Sequence, residues 1–234
     1  MNALRGGGIR NLDRRVLYRS IAAATLCLIT FAVLRLLLLV MDGPLRFDVW
    51  LEGHIRQEHA SRTIKIVEYL ASLPGSRKGA VVLIVVVAAW AWFRWRDVRP
   101  GLLLMAAFTV TTATVALLKT LMAHVMPIAS PDGELEDRVF LSTHTANAVA
   151  VFAMLAVVIA LSRRELLRPV VTLAVVVVGS VALSVMAADR HYLVDVVSGA
   201  AVAGFWVCVL VPVGELVCRR ATPDLPPVQN PGSS

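Results

Sequence analysis

The chain has little of what a water-soluble fold or a metal centre requires. Only 17% of its 234 residues are charged, and it contains three cysteines. Cys27 and Cys208 lie inside apolar segments and Cys218 lies at the end of the segment that contains Cys208, so their spacing predicts neither a disulfide nor a metal site. No internal repeat is visible, which argues against a repeat architecture.

The chain is instead rich in apolar residues. Hydrophobic residues make up 58% of it, whereas soluble domains are about half apolar. Six runs are long enough to cross a bilayer core, which takes about 20 apolar residues. These runs are Val16–Met41, Gly79–Trp95, Gly101–Ala123, Ser142–Leu161, Leu167–Ala188 and His191–Cys218. Only helices satisfy their backbone polar groups there, so we predict an all-α, polytopic six-helix membrane domain over residues 16–220.

The segments outside these runs complete the predicted organisation. Residues 1–15 form a basic N-terminus, and the Pro-rich residues 221–234 are typical of a disordered tail. Apolar residues recur at helical spacing in the long connection 42–78, which predicts two short amphipathic helices after the first span. These residues are Phe47, Trp50, Leu51, Ile55, Ile64, Val67 and Leu70. The two helices would either lie on the outer membrane surface or pack as a cap over the bundle.

The net charge of +7 is distributed as a topological signal and not as a nucleic-acid surface. The basic patches occupy alternate ends of the six runs, and most acidic residues lie in the opposite loops. The patches contain Arg5, Arg10, Arg14, Arg15, Arg94, Arg96, Arg99, Arg163, Arg164, Arg168, Arg219 and Arg220. The positive-inside rule then predicts a multi-pass protein of the cell membrane with both termini in the cytoplasm. Abundant arginine, alanine and valine are typical of a GC-rich bacterial genome.

Polar residues at three of the predicted helix ends are the main functional signal. Lys119 lies near the end of the third run, His144 begins the fourth and His191 begins the sixth. With both termini inside, all three ends face outward. Ionisable groups at such positions usually mark a reaction site or a pathway. His191 and Asp195 are four residues apart and share one helix face, so the carboxylate can orient the imidazole and leave its other nitrogen free.

The chemistry that these residues favour is phosphate chemistry. Ser142 and His144 lie in the first turn of a helix, where backbone amides and the helix dipole favour an anion, and Lys119 adds a positive charge. Zinc would be another use of two histidines and an aspartate, but these anion-favouring groups argue against it. Taken singly, His144 or His191 would be an ordinary interfacial residue and Asp195 a helix cap.

Three motifs resemble those of the membrane-bound phosphatidic acid phosphatase type 2 superfamily, which is related to vanadium haloperoxidases. The family patterns are Lys-x6-Arg-Pro, Pro-Ser-Gly-His and Ser-Arg-x5-His-x3-Asp. Here they read Lys119-x6-Met126-Pro127, Leu141-Ser142-Thr143-His144 and Ser184-Val185-x5-His191-x3-Asp195. The resemblance implies that His191 attacks phosphorus to form a phosphohistidine, Asp195 orients it and His144 protonates the leaving oxygen. Lys119 and the backbone of Ser142 and Thr143 would hold the phosphate.

The chain departs from the family at both motif arginines, which are Met126 and Val185 here. Neither residue can bind phosphate bidentately as arginine does. Arg138 or Arg190, beside the motifs, would take over this role, unless each is simply a solvated loop charge. Alternatively, the chain resembles the inositol-phosphorylceramide and sphingomyelin synthase branch, which lacks these arginines. A third explanation is a degenerate, inactive member. Arg35, in the first run, is a lesser candidate that snorkelling would explain.

The sequence therefore predicts a membrane enzyme that hydrolyses a phosphoester or pyrophosphate of a lipid at the extracytoplasmic face. Polyprenyl pyrophosphate, phosphatidic acid and phosphatidylglycerol phosphate are candidate substrates. No metal or other cofactor is required, because Lys119 and the helix termini can neutralise the phosphate. The alternatives are a lipid head-group phosphotransferase and a catalytically degenerate lipid-binding protein.

Overall fold

The computed structural model describes residues 14–41, 45–56, 62–123, 140–188 and 191–219, and every regular element within these ranges is helical. The α-helices are α1 (Arg14–Met41), α2 (Arg46–Arg56), α3 (Arg62–Ser72), α4 (Arg77–Trp95), α5 (Arg99–Ala123), α6 (Thr143–Ser162), α7 (Leu167–Ala187) and α8 (Leu193–Arg219). The 3₁₀ turns Leu73–Gly75 and Arg164–Leu166 precede α4 and α7. The predicted tail and most of the predicted N-terminal segment lie outside the described residues.

Six of these helices, α1 and α4 to α8, are long and apolar enough to cross a membrane. The predicted all-α, six-span fold is therefore confirmed, and the helix ends lie within two residues of the predicted ones. One small difference affects the site. The last helix begins at Leu193, so His191 lies two residues before the helix instead of in its first turn.

Helix α6 is the centre of the bundle. It packs against α4, α5, α7 and α8, while α1 packs against α8 at the periphery. Apolar side chains such as Leu104, Val151 and Met154 are buried between these helices. Equally apolar side chains on the outer surfaces, including Val82 and Val175, are exposed. An exposed apolar face of this kind is what a helix in contact with lipid requires.

The two predicted amphipathic helices are present as α2 and α3, and α2 has two distinct faces. Leu51 and Ile55 pack onto the bundle beside α7, whereas Phe47 and Trp50 stack on each other and remain exposed. Helix α3 packs against α7. The packing of α2 and α3 on α7 supports the interpretation as a cap over the bundle. A position on the outer membrane surface stays a prediction, for which the exposed aromatic face of α2 is suited.

Two of the three cysteines contact each other without forming a disulfide, in agreement with the sequence, which predicted none. Cys27 of α1 and Cys208 of α8 are free cysteines whose side chains hydrogen bond to each other. Their separation in the sequence gave no reason to expect this contact. It arises because the first helix packs against the last one.

Candidate active site

The His191–Asp195 pair forms at the start of α8. The Nδ1 atom of His191 lies 3.6 Å from Oδ2 of Asp195, and the two side chains are only 12% and 9% exposed. This distance exceeds a hydrogen bond, and Nδ1 has no hydrogen-bond partner among the described residues. Catalytic hydrogen bonds are often long before substrate binds. Since Nδ1 faces the carboxylate, Nε2 is the ring nitrogen that is left for chemistry.

Asp195 also stabilises the start of its own helix. Its Oδ2 atom accepts a hydrogen bond from the Tyr192 amide at 3.0 Å, which is one half of a capping box. The same oxygen faces Nδ1 of His191, so one carboxylate both caps the helix and orients the imidazole. The cap holds the carboxylate in place and thereby sets the position at which the ring meets it.

The start of α6 lies directly against the start of α8. Ser142 is the N-cap of α6, and its Oγ accepts hydrogen bonds from the amide and the hydroxyl of Thr145 at 3.3 and 3.1 Å. The Ser142 amide in turn donates to the Asp195 carbonyl at 3.1 Å. Gly199 allows this close approach, because a Cβ there would lie 2.5 Å from the Ser142 carbonyl oxygen. Thr143 and His144, the first two residues of α6, are thus fixed relative to the His191–Asp195 pair.

Leu141 gives this segment a backbone that the family's proline would not adopt. Its φ angle is +87°, which is rare for a residue with a side chain, and the side chain is fully buried. Proline is fixed near −65°. The replacement of proline by leucine therefore accompanies a different local backbone before Ser142, and strained residues of this kind cluster at functional sites.

Lys119 lies in the last turns of α5 and faces this cluster. It is half-buried, and its ammonium is close enough to interact electrostatically with Asp195 and with Arg77 at the start of α4. Lys119, His144, His191 and Asp195 therefore lie at one end of the bundle, as the sequence predicted. Arg77 joins them there, although the sequence gave it no role beyond a charge in a loop.

Asp48 of α2 is a second residue that the sequence did not single out. It is buried and accepts hydrogen bonds from the Val194 and Leu193 amides at the start of α8. Burial raises its pKa to about 6; the amide hydrogen bonds oppose this effect, and the nearby charge of Asp195 adds to it. The Oδ2 atom of Asp48 has no hydrogen-bond partner in the described part of the chain. The first two amides of α8, those of Leu193 and Val194, are therefore already hydrogen bonded to the Asp48 carboxylate.

The surroundings of Val185 explain why a motif arginine is absent from this position. Val185 of α7 is 1% exposed and packs with Met186 and Val196 in an apolar cluster. A charged side chain there would be buried without compensation. The other motif position, Met126, lies outside the described residues, as do Arg138 and Arg190. Phosphate binding by Arg138 or Arg190 therefore stays a prediction.

Arg35 is near the site but has a contact of its own. Its guanidinium lies 5.7 Å from the centroid of the Phe140 ring, which directly precedes Leu141. This contact is a cation–π interaction. Among the described residues, no group of three or more histidine, cysteine, aspartate or glutamate side chains is arranged to hold a metal ion.

These features define a class of protein: a multi-pass helical membrane protein with a histidine–carboxylate pair and a lysine gathered at one end of its bundle. The sequence pattern of the PAP2 superfamily matches residues 100–216, half of the chain, and this range contains all three motifs. The chain belongs to the PAP2 superfamily, which confirms the resemblance and supports a membrane phosphatase of the lipid-phosphate kind.

A solved structure supports the fold independently. It is that of a transmembrane PAP2-type phosphatidylglycerolphosphate phosphatase from Bacillus subtilis. The two structures align with a TM-score of 0.66 at 20% sequence identity, over 81% of this chain and 94% of the other. At that identity the likeness concerns the fold. No curated protein matches the chain at the sequence level.

Proposed function

We propose that the protein is a phosphatase that hydrolyses a phosphoester or pyrophosphate of a membrane lipid through a phosphohistidine, at the extracytoplasmic face. The observation that carries the proposal is the His191–Asp195 pair held against the start of α6 by the Ser142–Asp195 hydrogen bond. That contact brings the two histidines, which are 47 positions apart (191 − 144), to neighbouring helix starts. Positioning and charge neutralisation are most of what phosphoryl transfer requires.

The first chemical step forms the phosphoenzyme. Nε2 of His191 attacks the phosphorus, and the bond from phosphorus to the lipid oxygen breaks. His144 donates a proton to that oxygen, which leaves as the lipid alcohol or as the shorter phosphate. The imidazole gains positive charge as it is phosphorylated, and Asp195 beside Nδ1 stabilises this charge.

The second step regenerates the enzyme. A water molecule attacks the phosphorus, the bond between phosphorus and Nε2 breaks, and His144 accepts the proton from water. Lys119 neutralises the phosphate oxygens in both steps, with the Thr143 backbone amide beside it. The Ser142 amide, which the sequence also put there, donates to the Asp195 carbonyl and serves to position the two helix starts. The proposed mechanism uses only groups of this chain and water.

Replacement of His191 tests the proposal directly. His191→Ala removes the nucleophile, so phosphate release should fall by roughly a thousandfold or more. The assay follows phosphate and lipid products by mass spectrometry, with phosphatidic acid, a polyprenyl pyrophosphate and phosphatidylglycerol phosphate as substrates. The exposed His54 on α2 gives the matched control, and His54→Ala should retain activity. Unchanged phosphate release in His191→Ala would refute the mechanism.

One observation favours a second function, the transfer of a phosphoryl-bearing head group to a lipid alcohol. The apolar surroundings of Val185 leave its side of the site without the arginine of the hydrolytic family members. Adding a lipid alcohol acceptor separates the two functions. A transferase would give a new phospholipid and little free phosphate, whereas a hydrolase would release phosphate regardless of the alcohol. A degenerate lipid-binding protein would form neither product and no phosphohistidine.

A further inference from the structure

Arg77 is held close to His144 by a compact turn. It is the first residue of α4 and follows the 3₁₀ turn Leu73–Gly75 and the N-cap Ser76, whose Oγ accepts a hydrogen bond from the Gly79 amide at 3.0 Å. The turn touches the start of α6 so closely that a Cβ on Gly75 would lie 2.4 Å from the His144 carbonyl oxygen. The backbone that carries Arg77 is therefore in contact with the backbone of a proposed catalytic residue.

Buried hydrogen bonds fix this turn. The side-chain amide of Asn147 donates to the Gly75 carbonyl at 3.1 Å, and its Oδ1 atom accepts from the Thr112 hydroxyl at 3.0 Å. Asn147 is 1% exposed, so these bonds are protected from water. The start of α4 is thereby tied to both α5 and α6, the helices that carry Lys119 and His144.

Arg77 adds a positive charge here that no described carboxylate pairs with. The positive charge of Arg77 acts on the half-buried Lys119, which also interacts with Asp195. Among the described residues no carboxylate forms a salt bridge with Arg77, and its side chain is exposed. Two cations held near each other repel unless an anion lies between them. A phosphate with two negative charges would provide that anion.

We propose that Arg77 binds the substrate phosphate and replaces the missing motif arginines, an inference that rests on the proposed phosphatase function. Its guanidinium can bind two phosphate oxygens at once, which valine and methionine cannot do. Arg77 lies before the region that matches the family, so it is a feature of this chain outside the three motifs. Together with Lys119 it selects a terminal phosphate that carries two negative charges over a singly charged phosphodiester.

The experiment compares four full-length proteins in mixed micelles: wild type, Arg77→Ala, Arg77→Lys and Lys78→Ala. The measured quantities are KM and kcat for phosphate release from phosphatidic acid and the inhibition constant of inorganic phosphate. Arg77→Ala should raise KM and this inhibition constant by roughly ten- to a hundredfold. Arg77→Lys keeps the charge without the fork and should give a smaller increase. Lys78→Ala, the neighbouring exposed cation, should stay within about twofold of wild type.

Dimethyl phosphate, a singly charged diester, tests the selectivity. It should inhibit the wild type far less than inorganic phosphate does, and Arg77→Ala should reduce the difference. Equal unfolding temperatures without phosphate would exclude a folding defect, and Arg77→Gln replaces Arg77→Ala if the alanine variant is unstable. Unchanged kinetic constants in an active, folded Arg77→Ala variant would overturn the assignment and leave the phosphatase proposal intact.

Failure of the phosphatase proposal is recognisable separately, because the wild type would then release no phosphate from any lipid. Binding of inorganic phosphate, measured as a rise in unfolding temperature, would still decide the role of Arg77. A rise in wild type and Lys78→Ala that is lost in Arg77→Ala supports the assignment. An equal rise in all proteins, or no rise in the wild type, overturns it.

Discussion

At the scale of single residues, Asp48 connects an interfacial helix to the candidate active site. It lies on α2, and its carboxylate binds the first amides of α8, two residues beyond His191 in the sequence. Its raised pKa means that the folded protein binds a proton at Asp48 more tightly than the unfolded chain does. The resulting contribution to stability is fully present below about pH 4. It is lost as the pH rises through about 6.

Asp48→Asn should remove this pH dependence. Asparagine keeps an oxygen for the Leu193 and Val194 amides but carries no charge. We expect the variant to match the wild type near pH 4 and to unfold a few degrees higher at pH 7.5, because 1 kcal/mol shifts the Tm of a chain of this size by about 2–4 °C. Unfolding temperatures measured across this range in detergent provide the test. If the unfolding temperatures of wild type and variant changed in parallel with pH, the charge of Asp48 would not destabilise the folded protein.

The residues differ in how far the sequence alone could identify them. Lys119, His144, His191 and Asp195 were predictable because apolar runs fix where each span ends, and alternating spans bring those ends to one side. Asp48 and Arg77 were not, because the sequence puts both in the long segment 42–78 after the first span, whose path over the bundle no periodicity determines. The positive φ of Leu141 was equally invisible, since leucine gives no signal for it.

At the scale of elements, the site depends on helix starts that touch through glycine. Gly75 brings the turn before α4 against the His144 carbonyl, and Gly199 brings α8 against Ser142. A side chain at either position would collide with backbone atoms, which cannot rotate away. The helix limits themselves were predictable to within two residues, but these contacts were not, because they depend on how neighbouring helices are rotated about their axes.

Gly199→Ala should separate α8 from the start of α6. The added Cβ would lie 2.5 Å from the Ser142 carbonyl oxygen, so the Ser142–Asp195 hydrogen bond should lengthen or break. A displacement of about 1 Å between reacting groups can cost a hundredfold in rate, so we expect kcat to fall by roughly that factor. The measurement is phosphate release by the folded variant, alongside its unfolding temperature.

Gly179→Ala, on α7, is the matched control. A Cβ at Gly179 meets no atom within 4 Å, and alanine in a helix interior is favoured over glycine by about 0.5–1 kcal/mol. This variant should keep full activity and become slightly more stable. If both alanine variants lost activity equally, the effect would be general to glycine replacement in these helices and not specific to the contact with α6.

At the scale of the whole molecule, the alternating helices place the arginine-rich helix ends and the candidate site at opposite ends of the bundle. Basic residues that begin α1 and that join α4 to α5 and α6 to α7 lie at one end of the bundle. Lys119, the two histidines and Asp195 lie at the other end. The positive-inside rule predicts that the basic end lies in the cytoplasm and that the candidate site faces outward. Exposed aromatic residues of α2 would then lie beside the outer leaflet, next to the proposed reaction site.

Labelling of two cysteines on α4 tests this orientation within one helix. Lys78 is the second residue of the helix, at the end beside the site, and Arg94 lies in its last turn; both side chains are exposed. With Cys27, Cys208 and Cys218 replaced by serine, Lys78→Cys should react with a membrane-impermeant maleimide in intact host cells. Arg94→Cys should react only after the cells are permeabilised. The reverse pattern would put the site in the cytoplasm, where a lipid phosphate of the inner leaflet would be its substrate.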